Sequence, residues 1–147
     1  MNTYQNILIA LDLTQSAEEV LKKAMSVSDN DSVNYTVIHV VDYLPYMGFG
    51  EGTLITPTYT IPNEELISNA RQPIEKLLNK VKLFDLEPVI EIGNATSEIV
   101  KYAEENAIEL IVVGSHGRHG VKLLLGSTAN GILHHAPCDV LAVRIYD

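Results

Sequence analysis

The chain has 147 residues, which predicts one domain spanning residues 1–147 with a core large enough to fold alone. Hydrophobic residues make up 46% and charged residues 20% of the sequence, as in ordinary globular proteins, and no apolar run reaches the length of a membrane span. The formal net charge of −9 argues against a large nucleic-acid interface, which needs clustered Lys and Arg, but it does not exclude one bound nucleotide.

The first part of the chain alternates aliphatic runs with a segment of helical periodicity. Ile7 to Leu11 predicts a strand that is buried on both faces, and Asp12 follows it in a turn. Ser16 and Glu19 have the spacing of a capping box in front of the first helix. Val33 to Val41 is rich in β-branched residues and predicts the second strand.

The middle of the chain is less regular. Residues 43–62 have no sustained period, which indicates either a functional loop or a variable surface loop that covers a helix. An apolar stripe from Glu64 to Leu83 predicts the second helix. Pro73 lies inside that stripe, so we expect the helix to kink or to divide into two pieces.

The second half of the chain continues the alternation of strands and helices. A helix capped by Thr96 or Ser97 is expected after the third strand. Alternation of this kind predicts an α/β fold, in which a parallel sheet carries helices on both faces through right-handed crossovers. The remaining predicted elements are strands at Glu87–Ile92, Leu110–Val113 and Val140–Ile145 and a last helix at Ser127–His135.

A glycine-rich stretch separates the fourth strand from the last helix. Gly114, Gly117 and Gly120 recur at steps of three, and Gly126 precedes Ser127 and Thr128, which are good N-cap types. A strand end, a glycine-rich loop and a helix start together offer bare backbone N–H groups and a partial positive charge, which suits a phosphate. Alternatively, the glycines serve only tight turns and helix–sheet packing. The stretch lacks the Lys-Ser/Thr of a P-loop and is not the first turn of a dinucleotide-binding fold.

These residues resemble a known family. The pattern Gly-x-x-Gly, a spacer and Gly-Ser/Thr is similar to the nucleotide loop of the universal stress protein family. Tyr4 to Asp12, Val37 to Val41 and Ala136 to Val143 resemble the opening, second and closing strands of that family. The resemblance covers the chain apart from the loop near residues 43–62. One departure is that eight residues separate Gly117 from Gly126, where nucleotide-binding members usually have one residue more.

The resemblance implies a five-stranded parallel sheet of strand order 3-2-1-4-5, a Rossmann-like fold of the adenine nucleotide alpha hydrolase type. It also implies a cofactor, ATP or AMP with a possible Mg²⁺, bound where strands one and four meet. The residues implied to contact this nucleotide come from the ends of strands one, two and four and from the start of the last helix. They are Ala10, Asp12, Val40, Gly114, His116, Gly117, Arg118, Gly126, Ser127 and Thr128.

Other roles stay open for several of these residues. Asp12 is alternatively a cap of the first helix, Ser127 only an N-cap, and Val40 a core residue that offers a ligand nothing but its backbone. Arg118 is as readily a solvated side chain as a phosphate ligand. His116 lies three residues from a second histidine, but no cysteine completes a metal set, so we predict no protein-bound metal.

The sequence also predicts a compartment and a mode of assembly. Cys138 is the one cysteine, which excludes an internal disulfide, and the N-terminal residues carry no secretory signal, so a cytoplasmic location is expected. Cys138 is read as a small core residue rather than as a reactive thiol. The closing strand is aliphatic and lies at a sheet edge, and family members commonly dimerise through it, which implies a homodimer.

Three functions remain in competition. The first is a stress-response regulatory protein that binds an adenine nucleotide, with neither nucleic acid nor a membrane as partner. The second is a dimeric protein-interaction module of the same family that binds no nucleotide. The third is an enzyme, at most a slow ATP hydrolase, because no nucleophile elbow, carboxylate pair or Cys-His arrangement is evident in the sequence.

Overall fold

A computed structural model describes residues 4–29, 31–42, 62–115 and 125–145. Five strands alternate with four helices along these residues. The elements are β1 (Asn6–Ala10), α1 (Ala17–Met25), β2 (Asn34–Val41), α2 (Asn63–Lys80), β3 (Val89–Ile92), α3 (Ala95–Glu105), β4 (Leu110–Gly114), α4 (Ser127–His135) and β5 (Asp139–Val143).

The strands form one parallel sheet of order β3-β2-β1-β4-β5, which confirms the expected order. β1 is paired on both edges, with Ile7 beside Tyr35 of β2 and beside Leu110 of β4. The chain builds outward from β1 to β3 on one side and then returns to add β4 and β5 on the other. The strand order therefore reverses between β1 and β4, and the loops that follow these two strands diverge from one point at the carboxyl edge of the sheet.

Each face of the sheet has its own core. Ile7 and Ile9 point into a cluster with α1 and α2, whereas Leu8 and Ala10 point into a second cluster with α3 and α4. This alternation is the period-two geometry of a strand, and both faces are apolar because helices cover both. The central aliphatic runs are therefore buried throughout, as the sequence predicts.

The predicted capping box of the first helix is wrong, and of the two outcomes expected for the second helix the structure excludes division. Ser16 precedes α1 but has helical backbone angles, φ −78° and ψ −9°, and makes no side-chain cap, so the capping box does not form. Pro73 does not divide α2, which is one helix of 18 residues. The proline is exposed, while Ala70, Ile74 and Leu78 form the buried stripe of the helix.

The turn into α3 also differs from the prediction. Asn94, rather than Thr96 or Ser97, is the N-cap, and its side chain accepts a hydrogen bond of 2.9 Å from the Ser97 backbone N–H. Gly93 precedes it with φ +149°, a conformation that side chains rarely adopt, so the backbone turn is completed before Asn94. The cap therefore lies two residues before Thr96 and three before Ser97, the two predicted cap residues.

The ends of the sheet shift slightly. β3 begins at Val89 rather than Glu87, and β5 spans Asp139–Val143 rather than Val140–Ile145. The last helix, α4, has the predicted bounds. Among the described residues, no helix is both long enough and apolar enough to cross a membrane.

The α3 cap yields the first prediction. Asn94→Ala removes the acceptor for the Ser97 N–H and should lower the free energy of unfolding by about 1 kcal/mol. Ser97→Ala keeps that backbone bond and should change the free energy by less than about 0.5 kcal/mol, the usual range for surface substitutions. Urea denaturation of both variants and the wild type checks this. If Ser97→Ala lowered the free energy of unfolding more than Asn94→Ala does, the side chain of Ser97 would be the cap instead.

Candidate functional site

The site lies at the carboxyl edge of the sheet, where β1 and β4 run side by side. Ala10, the last residue of β1, is in register with Val113, and Gly114 ends β4 one position later. Asp12 leaves the sheet immediately beyond β1. The strand order therefore brings the two loops together as the family resemblance implies, although Asp12 and Gly114 are far apart along the chain.

Ser115 connects three elements behind this edge. Its carbonyl accepts a 2.6 Å hydrogen bond from the Gly126 N–H, its own N–H donates to the Val143 carbonyl at 2.8 Å, and its hydroxyl accepts from the Ile145 N–H at 3.0 Å. The end of β4, the start of α4 and the end of β5 thus share one residue. Sequence reasoning missed Ser115; the signal available was a hydroxyl residue directly after a buried strand.

The start of α4 has no side-chain cap. Gly126 is the N-cap, with an extended backbone (φ −63°, ψ 159°), and its carbonyl accepts the first helical hydrogen bond from the Asn130 N–H at 2.9 Å. Ser127 and Thr128 are inside the helix, so the alternative that Ser127 is the N-cap is wrong. A glycine cap offers the first-turn N–H groups no acceptor of its own, which leaves them suited to an external one.

Asp12 is half-buried and has one oxygen engaged. Oδ1 accepts from the Thr14 backbone N–H at 3.0 Å and from the Thr14 hydroxyl, which closes an Asx turn rather than capping α1. Among the described residues, no hydrogen-bond donor reaches Oδ2. The second oxygen can therefore accept a hydrogen bond from a ligand while the first holds the turn in place.

His39 fixes the backbone in front of Asp12 and was missed by sequence reasoning. Its Nδ1 lies 2.7 Å from the Leu11 carbonyl oxygen, and because a carbonyl only accepts, Nδ1 carries the proton. On the same residue, the Leu11 N–H donates to the Ile38 carbonyl at 2.9 Å. Both backbone groups of Leu11 are thus held by β2.

Two other implied contact residues have side chains that face the core. Ala10 and Val40 are each 7% exposed and belong to the cluster beneath α3 and α4. A ligand at this edge can therefore meet their backbone but hardly their side chains. For Val40 this agrees with the alternative that only its backbone is available.

A cleft of about 350 Å³ opens between the β1–α1 turn and α2, and it shares Asp12 and Thr14 with the candidate site. Glu18 lies in its wall, with salt bridges of 2.8 Å to Lys22 and 2.7 Å to Lys80. The hydrogen bonds from Lys22 and Lys80 lower the pKa of Glu18 to about 2, so this carboxylate is ionised at neutral pH. The pair with Lys80 ties α1 to α2 near Asp12, whereas the pair with Lys22 lies within α1.

Some predictions concern residues outside the described part of the chain. His116, Gly117 and Arg118 are among them, as is nearly all of the loop at residues 43–62. In the described ranges no three His, Cys, Asp or Glu side chains are grouped so that they could hold a metal ion. Cys138 is half-buried, and burial raises the pKa of its thiol, which keeps it protonated and suits a packing role.

The chain is similar to known proteins over nearly its whole length. A family model described as "Universal stress protein family" matches residues 3–144. The chain is 36% identical to Universal stress protein A homolog 2 of Coxiella burnetii over 146 residues, 99% of this chain and 98% of that protein. The match with the coxiella protein extends through every described strand and helix.

Solved structures share the fold. Universal stress protein UspA from Lactobacillus plantarum is similar with a TM-score of 0.73 and 23% identity, covering 98% of this chain and 100% of that one. A universal stress protein determined in complex with cAMP is similar with a TM-score of 0.64 and 17% identity, covering 97% and 98% of the two chains.

The His39 contact can be tested by substitution. His39→Leu removes the donor to the Leu11 carbonyl and should lower the free energy of unfolding by about 1–2 kcal/mol, the cost of a buried acceptor left without its partner. His39→Asn keeps an N–H donor near the position of Nδ1 and should lose less. Urea denaturation at pH 7 compares the three proteins, and equal losses in the two variants would rule out the hydrogen bond as the source.

Proposed function

The chain belongs to the universal stress protein family, and from that premise we propose that it binds an adenine nucleotide, ATP or AMP, as a regulatory protein in a stress response. The observation that carries the proposal is the Gly126–Ser115 hydrogen bond, which holds a helix start without a side-chain cap against the end of β4. Asp12 lies at the end of the neighbouring strand. The groups proposed to bind phosphate and ribose therefore lie beyond the carboxyl ends of two adjacent strands, β4 and β1.

The phosphates are proposed to bind at the first turn of α4. The N–H groups of this turn have no side-chain acceptor from the cap residue, and the helix dipole adds a partial positive charge there. The hydroxyls of Ser127 and Thr128 are on this turn and can donate further hydrogen bonds. His116, Gly117 and Arg118 are proposed to complete the phosphate contacts on the basis of the family resemblance.

The ribose and adenine are proposed to lie toward β1 and β2. Asp12 Oδ2 is the acceptor for a ribose hydroxyl, since Oδ1 is already bonded to Thr14. The backbone of Val40, at the carboxyl end of β2, is the group proposed to meet the adenine edge. His39 supports this side of the site because it fixes Leu11, the residue before Asp12.

A magnesium ion is compatible with these residues, although the described residues provide no group of three His, Cys, Asp or Glu side chains that could hold it. Mg²⁺ in nucleotide sites is usually held by phosphate oxygens and water with one or two protein oxygens. The Ser127 and Thr128 hydroxyls are the protein groups near the proposed phosphates. We therefore propose that any Mg²⁺ enters with the nucleotide, where it neutralises phosphate charge.

Three adenine nucleotides, ATP, AMP and cAMP, are candidate ligands for this site. The fold neighbour determined with cAMP shows that a protein of this architecture accepts an adenine nucleotide of a different phosphate arrangement. A helix start that binds extended phosphates favours ATP over cAMP, because cAMP carries one phosphate tied to the ribose. We accordingly propose ATP or AMP as the ligand of this chain and a cytoplasmic protein of one domain as its context.

Nucleotide binding is tested by calorimetric titration of the nucleotide-stripped protein with ATP-Mg, AMP, cAMP and adenosine. Asp12→Asn keeps the acceptor for Thr14 but replaces the second oxygen by an N–H donor. It should lower the affinities for ATP and for adenosine by the same factor, about tenfold, because both ligands carry the ribose. This factor corresponds to the loss of one charge-assisted hydrogen bond.

The matched control is Asp85→Asn, which makes the same change of charge in the connection between α2 and β3, at the opposite edge of the sheet. Its affinity for ATP should equal that of the wild type. If the wild-type chain releases no nucleotide on denaturation and gives no heat with ATP-Mg, the proposed function is lost. Equal weakening by both variants would point to net charge rather than to a ribose contact.

A homodimer through β5 is the second part of the proposal. β5 is an edge strand, and an edge with unpaired backbone groups favours pairing with another strand. The Val143 carbonyl accepts a hydrogen bond from the Ser115 N–H, so the backbone groups of Val143 point toward β4. Because neighbouring residues of a strand direct their backbone groups to opposite sides, the N–H of Ala142 points away from β4. That exposed residue is where a partner strand would meet this one.

Ala142→Pro removes this outward N–H and leaves the β4–β5 hydrogen bonds in place, as proline is tolerated on a free edge. Chromatography with light scattering should give a dimer for the wild type and a monomer for the proline variant at micromolar concentration. Ala142→Thr keeps the N–H and should remain a dimer. A wild-type chain that elutes as a monomer would contradict the proposal.

A further inference from the structure

Gly131 is an unusual residue for its position, the interior of α4. Glycine weakens a helix relative to almost any other residue, and here no left-handed backbone angle requires it. Space requires it instead. A Cβ at this position would lie 2.7 Å from Thr96 Oγ1 and 2.9 Å from Thr96 Cγ2, both closer than real Cβ contacts allow. The backbone of α4 therefore rests directly on the Thr96 side chain of α3.

Neither helix can move away from this contact without disturbing the core. Thr96 is the second residue of α3, just beyond the cap in which Asn94 binds the Ser97 N–H. Below it, Ile99 of α3 and Ala129 and Ile132 of α4 are buried in the same cluster. The separation between the two helices is thus fixed near their N-terminal ends.

The contact lies about one turn from the start of α4, where Ser127 begins the helix. On the β4 side, the Gly126–Ser115 hydrogen bond holds the same start of the helix. The first-turn N–H groups are therefore located by two restraints, one hydrogen bond and one close packing contact. Hydrogen bonds to an oxygen tolerate only a few tenths of an ångström in distance, so a displacement of α4 would reach them.

We propose that Gly131 and Thr96 are positioning residues, which set the depth of α4 against α3 and thereby the affinity of its first turn for the phosphates of the ligand. This inference rests on the proposed function, because it assigns the phosphates to that turn. It concerns the affinity for phosphate groups and not the ribose contact of Asp12. Ligands with and without phosphates therefore respond differently to a change at Gly131.

The test is a set of substitutions that add and remove the steric conflict. Gly131→Ala adds a methyl group against Thr96, which must push the helices apart. Thr96→Ala removes both atoms that conflict most, leaving Thr96 Cβ at 3.3 Å from the added carbon. The double variant should therefore come close to the wild-type spacing, with a few tenths of an ångström left to accommodate. Thr96→Ser with Gly131→Ala keeps the oxygen that conflicts at 2.7 Å, so this variant should restore the spacing between the helices only in part.

Titration with ATP-Mg and with adenosine measures the consequence. Gly131→Ala should lower the affinity for ATP by about tenfold and that for adenosine by less than about twofold. Displaced amides lose charge-assisted hydrogen bonds to the phosphates, which adenosine does not have. Thr96→Ala with Gly131→Ala should return the ATP affinity to that of Thr96→Ala alone. Urea denaturation of each variant records stability separately from affinity.

Several results would overturn the inference. If the wild type binds ATP and folded Gly131→Ala binds it equally well, or if the double variant is not rescued, Gly131 does not position the site. If Gly131→Ala does not fold, the two double variants replace it, and equal ATP affinities in the serine and alanine versions overturn the inference. If the wild type binds no nucleotide, the proposed function fails and this inference fails with it.

Discussion

The pairing of β1 between β2 and β4 is the constraint on which the rest of the structure depends. Its side chains alternate between two apolar cores, and Ile7, Leu8 and Ile9 have no exposed surface. A slip of one residue would exchange the two faces, so the register is strongly determined. Because β2 leads outward on one side and β4 on the other, the loops after β1 and β4 diverge at one place. The position of the candidate site follows from this strand order rather than from a local motif.

Hydrogen bonds to backbone groups then fix the loops at this edge of the sheet. Ser115 joins β4, α4 and β5, and His39 joins β2 to the residue before Asp12. Each of these residues restrains a backbone group at the carboxyl edge of the sheet instead of pointing a side chain at a ligand. The start of α4 and the β1–α1 turn that carries Asp12 are consequently held by hydrogen bonds from neighbouring residues.

The sequence predicts the elements better than it predicts the contacts between them. Aliphatic runs located the strands to within about two residues, the usual uncertainty of element boundaries. The bounds of α4 were predicted correctly, whereas the strand order came from the family resemblance. The α3 cap was wrong because Asn94, Thr96 and Ser97 are all good cap types, and the choice depends on the backbone angle of Gly93. His39 is 28 residues from Leu11, and Thr96 meets Gly131 across two helices, so no local pattern reveals either contact.

The charge of the chain limits which groups can carry the proposed phosphate contacts. With 19 acidic and 10 basic residues, the overall field repels an anion and gives no long-range attraction to a phosphate. A site in such a chain must act at short range, through N–H groups and the partial charge of a helix end, whose effect falls off within the first turn. Short-range groups bind well only when they are accurately located. Under the proposed function, phosphate binding by this chain therefore depends more on the placement of α4, through Ser115 on one side and Thr96 on the other, than on its few cations.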